Sequence, residues 1–208
     1  MSAGSAAVIS AGAAQGDARR IGLLFMIGSA CFAIASLPAA STVSDQAVGI
    51  TYFTGSIFFT TAAFEQLRVA RGEGSEVWAA GIQFAGTLSF NVSTFFGMYH
   101  HLSAHRADLL VWAPDAFGSI CFLASSVLAE VAVVHAVLQV RRSATLNLAG
   151  SVAFGVSAVA AYVVPDTNEL VNAALATSTT LLGALCFFWA ARILVKPPPW
   201  LLQAKARA

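Results

Sequence analysis

Long apolar stretches alternate with short polar breaks along this chain, six times over. The apolar runs cover residues 21–37, 46–64, 77–98, 109–138, 146–164 and 170–195. A helix rises about 1.5 Å per residue, so about 20 residues cross the ~30 Å hydrocarbon layer of a bilayer. Each run reaches or approaches that length. The pattern predicts an all-α polytopic membrane protein with six transmembrane helices. The fourth run is longer than one span needs. Proline is tolerated in a first helical turn, which places Pro114 there and starts the membrane part near Trp112.

Composition agrees with the pattern. Of 208 residues, 58% are hydrophobic and only 10% charged, against about 25% charged in soluble domains. The bilayer is therefore the expected partner. A formal net charge of +1 gives no support for nucleic-acid binding. Cys31, Cys121 and Cys186 all lie in apolar runs with no CxxC spacing, so they are expected as small buried hydrophobes.

Basic residues fix the expected orientation. Arg19 and Arg20 precede the first run, Arg68 and Arg71 follow the second, and Arg141 and Arg142 follow the fourth. Arg192, Lys196, Lys205 and Arg207 lie at or beyond the end of the sixth. The opposite loops hold Asp45, then Arg106 with Asp108 and Asp115, then Asp166 and Glu169. Short basic loops favour the cytoplasm, which predicts a plasma (inner) membrane protein with both termini inside. Residues 1–18, rich in Ala, Gly and Ser, are expected to be disordered. KPPP stops the last helix, and residues 197–208 read as a basic tail lying on the inner membrane surface.

One short pattern recurs in every run. From Gly28 the chain reads GSACFAIAS, from Gly55 GSIFFTTAA, from Gly86 GTLSFNVST, from Gly118 GSICFLASS, from Gly150 GSVAFGVSA and from Gly183 GALCFFWAA. A phenylalanine stands four residues after each glycine: Phe32, Phe59, Phe90, Phe122, Phe154 and Phe187. Small residues at one turn and two turns later let membrane helices approach closely, and the Phe between them can fill the gap at a neighbour's glycine. Six copies at near-regular spacing constitute an internal repeat. Adjacent copies alternate in direction, so the repeating unit is a hairpin: residues 19–72, 73–142 and 143–196, the middle one with a longer outer loop at 99–114. The first run could pass for a signal peptide, but its copy of the motif assigns it to the bundle. A homo-oligomer, or a place in a larger membrane complex, is expected for so compact a unit.

Tandem helices carrying Gly-Ser-x-x-Phe, together with the string WAPDAFGSICFLASS, resemble the YrhK-like domain of small bacterial membrane proteins. The likeness covers most of residues 20–195. It implies topology and no activity.

Polar residues inside the runs supply the candidate chemistry. In the third run Gln83, Thr87, Asn91, Thr94, Met98 and His101 follow at steps of three or four and share one helical face. Such a stripe suits a solute or proton path; equally, it suits interhelical hydrogen bonds that hold the helix to its neighbours. In the fourth run Asp115, Ser119, Phe122, Ser126 and Glu130 repeat the spacing. Glu130 is a carboxylate well inside an apolar run, costly in lipid and a functional candidate for that reason. The alternative is a Glu130 paired with a base near the inner surface, toward which His135 and Arg141 lie. Glu65, followed by QLRVAR, reads as a member of an interfacial ion pair.

The outer loop holds His100, His101, His105, Asp108 and Asp115. If the helix continues outward, His101, His105 and Asp108 share a face and could hold Zn, Cu or Fe, with Met98 as a soft ligand for copper. Solvated loop histidines are the competing explanation, and an external pH sensor is a third use. A metal ion is the one cofactor the sequence suggests. No phosphate loop, HExxH, GxSxG or catalytic carboxylate pair occurs, so no catalytic residue is assigned. Trp78, Tyr99, Trp112, Tyr162, Trp189 and Trp200 sit at run ends as an aromatic belt.

The expected function is a small channel or transporter for an ion, proton or small solute. Its polar path would run along Gln83, Thr87, Asn91 and Thr94, then Ser119, Ser126 and Glu130. The alternatives are a non-catalytic subunit or scaffold of a larger membrane complex, and a metal-binding membrane protein or enzyme using the outer histidines.

Overall fold

The computed structural model describes residues 3–70, 74–99, 102–136, 138–167 and 169–195. Six long helices dominate it: α1 (Ala3–Ala35), α2 (Asp45–Val69), α3 (Ser75–Phe96), α4 (Ala113–Ala132), α5 (Leu138–Ala160) and α6 (Ala173–Val195). Helix α1 begins inside the segment expected to be disordered; its alanines are strong helix formers. A 3₁₀ turn, Pro38–Thr42, leads to α2, where the Ser44 hydroxyl caps the helix by accepting from the Ala47 N–H at 3.3 Å.

The entry to α4 departs from expectation. A helical turn, Ala104–Ala107, and a π turn, Asp108–Trp112, precede it, so helix starts within the presumed outer loop. The Pro114 ring crowds the carbonyl four residues back and offers no N–H; a wider turn just before it relieves both problems. The Ala113 N–H reaches the Asp108 carbonyl across this turn. At its other end α4 stops at Ala132, short of residue 138. The turn between α5 and α6 also surprises: it holds a small antiparallel ladder, β1 (Val163–Val164) on β2 (Glu169–Leu170), with Val163 opposite Leu170.

Among the described residues, five helical stretches are long and apolar enough to cross a membrane: Gly16–Ala35, Asp45–Val69, Ala104–Ala132, Leu138–Ala160 and Ala173–Val195. Helix α3, 22 residues long, is more polar, carrying Gln83, Thr87, Asn91, Ser93 and Thr94. Ile34, Ile120, Val131 and Val159 are exposed on the outside of the bundle, a surface suited to lipid.

The helices form a closed ring in chain order, each antiparallel to the next, and α1 against α6 completes it. Within the pairs α1–α2, α3–α4 and α5–α6 the repeat glycines face each other. A methyl group at Gly28 would stand 2.9 Å from the Gly55 carbonyl and 3.1 Å from the Phe59 ring, and one at Gly55 would meet the Phe32 ring at 2.8 Å. Gly86 and Gly118 repeat the arrangement with Phe122 and Phe90, and Gly150 and Gly183 with Phe187 and Phe154. Each glycine thus leaves the notch that its partner's phenylalanine occupies.

Those six rings meet at the centre of the bundle, each no more than 5% exposed. Phe59, Phe122 and Phe187 form a triangle with centroids 5.7–6.3 Å apart. Phe90 and Phe32 each lie 5.8 Å from Phe154 in a second layer. Edge-on pairs tie the layers together, Phe32 to Phe59 at 5.5 Å and Phe90 to Phe122 at 4.9 Å. Such pairs contribute about 0.5–1.5 kcal/mol each beyond simple contact.

At the face where α2 and α6 end (the terminal face), Arg20 binds Glu65, and Arg68 Nε donates to Glu65 Oε2 at 2.8 Å. Asp17 lies 3.8 Å from Arg20 and 3.6 Å from Arg68. The ion pairing expected of Glu65 is present.

Candidate functional site

Two cavities flank the phenylalanine septum. The larger, about 420 Å³, opens toward the face opposite the Glu65 ion pairs (the far face) and has Phe32 and Phe154 in its floor. The smaller, about 250 Å³, lies toward the terminal face against Phe59, Phe122 and Phe187. A volume of 420 Å³ falls within the range of small-molecule sites.

The residue three places before each repeat glycine takes part in one cavity or the other. Helices α2, α4 and α6 run from the far face and contribute Tyr52, Asp115 and Thr180 to the large cavity. Helices α1, α3 and α5 run the opposite way and contribute Phe25, Gln83 and Asn147 to the small one. The alternation follows from geometry: that position lies almost one turn before the glycine crossing, so helix direction decides which side of the septum it reaches. One repeat position therefore writes the chemistry of both cavities.

Asp115 is the one charged side chain among the described residues lining the large cavity. It has no hydrogen-bond or ion-pair partner among the described residues. Most neighbouring donors are engaged elsewhere. Ser36 Oγ donates to the Phe32 carbonyl at 2.8 Å, so the 2.7 Å contact between Ser36 and Tyr52 takes its proton from the Tyr52 hydroxyl. Trp112 Nε1 donates to the Ala158 carbonyl at 2.9 Å, and its ring meets Tyr162 edge-on. Thr94 Oγ1 donates to the Phe90 carbonyl at 2.6 Å. Ser157 and Thr180 contact each other at 2.6 Å, and both reach the Ala176 carbonyl at 2.9 Å. Ser93, Tyr99 and Thr177 keep their hydroxyl protons, but the wall is dominated by acceptors.

The polar residues expected to share one path are dispersed. Gln83 lines the small cavity and accepts from Ser125 Oγ at 3.3 Å; Thr94 lines the large one. Thr87 is fully buried and donates to its own helix at Phe84. Asn91 Oδ1 accepts from Thr60 on α2 at 3.1 Å. Ser119 reaches the Phe154 carbonyl at 3.4 Å, and Ser126 contacts Ser151 at 2.7 Å while accepting from Asn147. Glu130 Oε1 accepts from Thr145 Oγ1 at 3.0 Å, and its Oε2 is buried without a hydrogen-bond partner among the described residues. These contacts tie α2 to α3 and α4 to α5, the interhelical use weighed from the sequence.

Of the proposed metal ligands, His101, like His100, lies outside the described residues. His105 is exposed, and Asp108 Oδ1 accepts from the Val163 N–H at 3.2 Å, which pins the β ladder to the helix entry. Among the described residues no three His, Cys, Asp or Glu side chains gather as a metal site would require.

The site residues missed by pattern are Tyr52 and Thr180; Asp115 enters the pattern as a member of a stripe and of the outer-loop cluster. Aligning the six copies three places before the glycine would have found all three. Comparison with protein families, characterised proteins and solved structures finds no match to this chain.

Proposed function

We propose that the chain is a small membrane transporter or gated channel for a polar solute or ion. Solute would enter the large cavity, pass the phenylalanine septum when the hairpins shift, and leave through the small cavity. The observation that carries this reading is the pair of cavities on either side of one septum, each built from the same repeat position. In this reading α3 also spans: 22 residues extend about 33 Å, enough for the hydrocarbon layer. The ring is then three hairpins of one repeated unit, and the likeness to the YrhK-like domain fits this topology. The basic residues of the terminal face support a cytoplasmic position for that face in a bacterial inner membrane, which would turn the large cavity outward. Glu130, with one oxygen unpartnered beside the small cavity's helices, is the candidate for a proton-linked step; the ring could also assemble as a homo-oligomer through its lipid-facing surface.

The septum itself favours a second reading, a non-conducting subunit of a larger membrane complex, because six buried rings close the axis. Flux decides between them. Purified protein in sealed vesicles is given a panel of labelled small solutes and ions. The transport reading expects uptake above protein-free vesicles for at least one solute. Absence of uptake for the whole panel, in the wild type and in a septum-opening Phe122→Ala variant, leaves the subunit reading.

A further inference from the structure

We propose that the large cavity is a binding site for a small organic ammonium ion, its nitrogen at Asp115 and its apolar body against the aromatic wall. The proposal rests on the transport reading for the purpose of the site, and on the geometry alone for its chemistry.

An ionised carboxylate taken out of water without a partner is costly, and in a membrane protein such a group by default marks a ligand or ion. Asp115 is half-buried, lines the cavity, and has no hydrogen-bond or ion-pair partner among the described residues. A cation entering from solution would supply that partner. Size argues against a bare ion: about 420 Å³ is far more than one metal ion or proton occupies. Among the described residues the wall carries a single carboxylate, whereas hard metals are usually held by several carboxylate or carbonyl oxygens.

The rest of the wall describes the ligand's other features. Tyr52, with its proton given to Ser36, offers oxygen lone pairs, and so does one hydroxyl of the Ser157–Thr180 pair. These acceptors suit N–H donors on the same nitrogen. Trp112, Phe32 and Tyr52 supply aromatic surface, to which a cation is attracted by the ring quadrupole. Arg106 lines an adjoining hollow that shares Tyr99 and Leu102 but is not in this wall. An anion would find one fixed negative charge and few free donors. The small cavity holds amides from Gln83 and Asn147 and no carboxylate among its lining residues, so the cation would be held on the far side of the septum.

The test is calorimetric titration of the purified full-length chain in detergent with n-butylammonium, butanol and butyrate, which share a body and differ in charge. The proposal expects butylammonium to bind about tenfold or more tightly than either analogue, a difference of ~1.4 kcal/mol or greater. Asp115→Asn should abolish that preference, and Asp115→Glu should keep part of it. Equal affinity for the three probes, no binding of butylammonium, or an unchanged preference in Asp115→Asn overturns the proposal. Should Asp115→Asn fail to fold, the wild-type comparison still decides. Butylammonium binding without transport of any solute would leave this site standing and remove the transport reading. Transport of some solute with no ammonium binding would do the reverse.

Discussion

Gly183 on α6 lies directly against the ring of Phe154 on α5, with no room for a methyl group between them. Gly155, one residue further along the chain, has nothing within 4 Å of where a Cβ would stand. The two glycines separate the packing role of the repeat from the general effect of glycine in a helix. Gly183→Ala is expected to destabilise the bundle by about 1–3 kcal/mol through overpacking. Gly155→Ala should be neutral or stabilising by up to about 1 kcal/mol, because alanine is the better helix former. Unfolding in mixed micelles measures both, and equal effects would contradict the reciprocal glycine–phenylalanine packing.

Phe122 touches Phe59, Phe90 and Phe187 and so belongs to both layers of the septum. Phe122→Ala removes one of the rings that link them. The variant is expected to lose stability, on the order of 3 kcal/mol or less, since burial against lipid gives little hydrophobic drive. Its vesicles should leak protons faster than wild-type vesicles, read with an internal pH dye.

Glu65 gathers Arg20 and Arg68 at the terminal face. Both arginines are about half exposed, at 52% and 50%, and exposed pairs contribute about 0–1 kcal/mol each. Glu65→Gln should therefore lower thermal stability modestly at low salt, and the difference from wild type should shrink as salt is raised. A difference that does not respond to salt would show that the contacts act through packing.

Glu130 combines one satisfied oxygen with one buried and unpartnered. Glutamine keeps the acceptor for Thr145 and removes the charge, so Glu130→Gln should leave the fold at least as stable as the wild type. Under the transport reading the same change abolishes flux. Full flux in a folded Glu130→Gln protein takes Glu130 out of the mechanism.

Much of this architecture could be read from the chain because its local signals are strong. Six apolar runs locate the helices, and glycine followed four places later by phenylalanine locates their crossings. Other features were not legible because they depend on contacts distant in sequence. The closure of α1 on α6 leaves no mark in either helix. The π turn before Pro114 answers a backbone conflict that the apolar pattern ignores. The polar stripe of α3 looks continuous on one helix, yet in the bundle Asn91 turns to Thr60 and Gln83 to Ser125. Asp115 acquires its meaning only when α2, α4 and α6 bring Tyr52, itself and Thr180 to one cavity. A carboxylate near a helix start looks ordinary until its lack of a partner is seen.

Access to the two cavities from opposite sides tests the account most directly. With Cys31, Cys121 and Cys186 replaced by alanine, which keeps the Cβ contacts of Cys31 and Cys121 at the crossings, single cysteines are placed at Thr94 and at Asn147. A membrane-impermeant thiol reagent is then applied to intact cells and to inverted vesicles. Thr94→Cys, in the large cavity, should be modified from the outside of intact cells and protected in inverted vesicles; Asn147→Cys should show the reverse. Labelling of both from one side, or of neither from either side, would contradict two solvent-reached cavities divided by a phenylalanine septum.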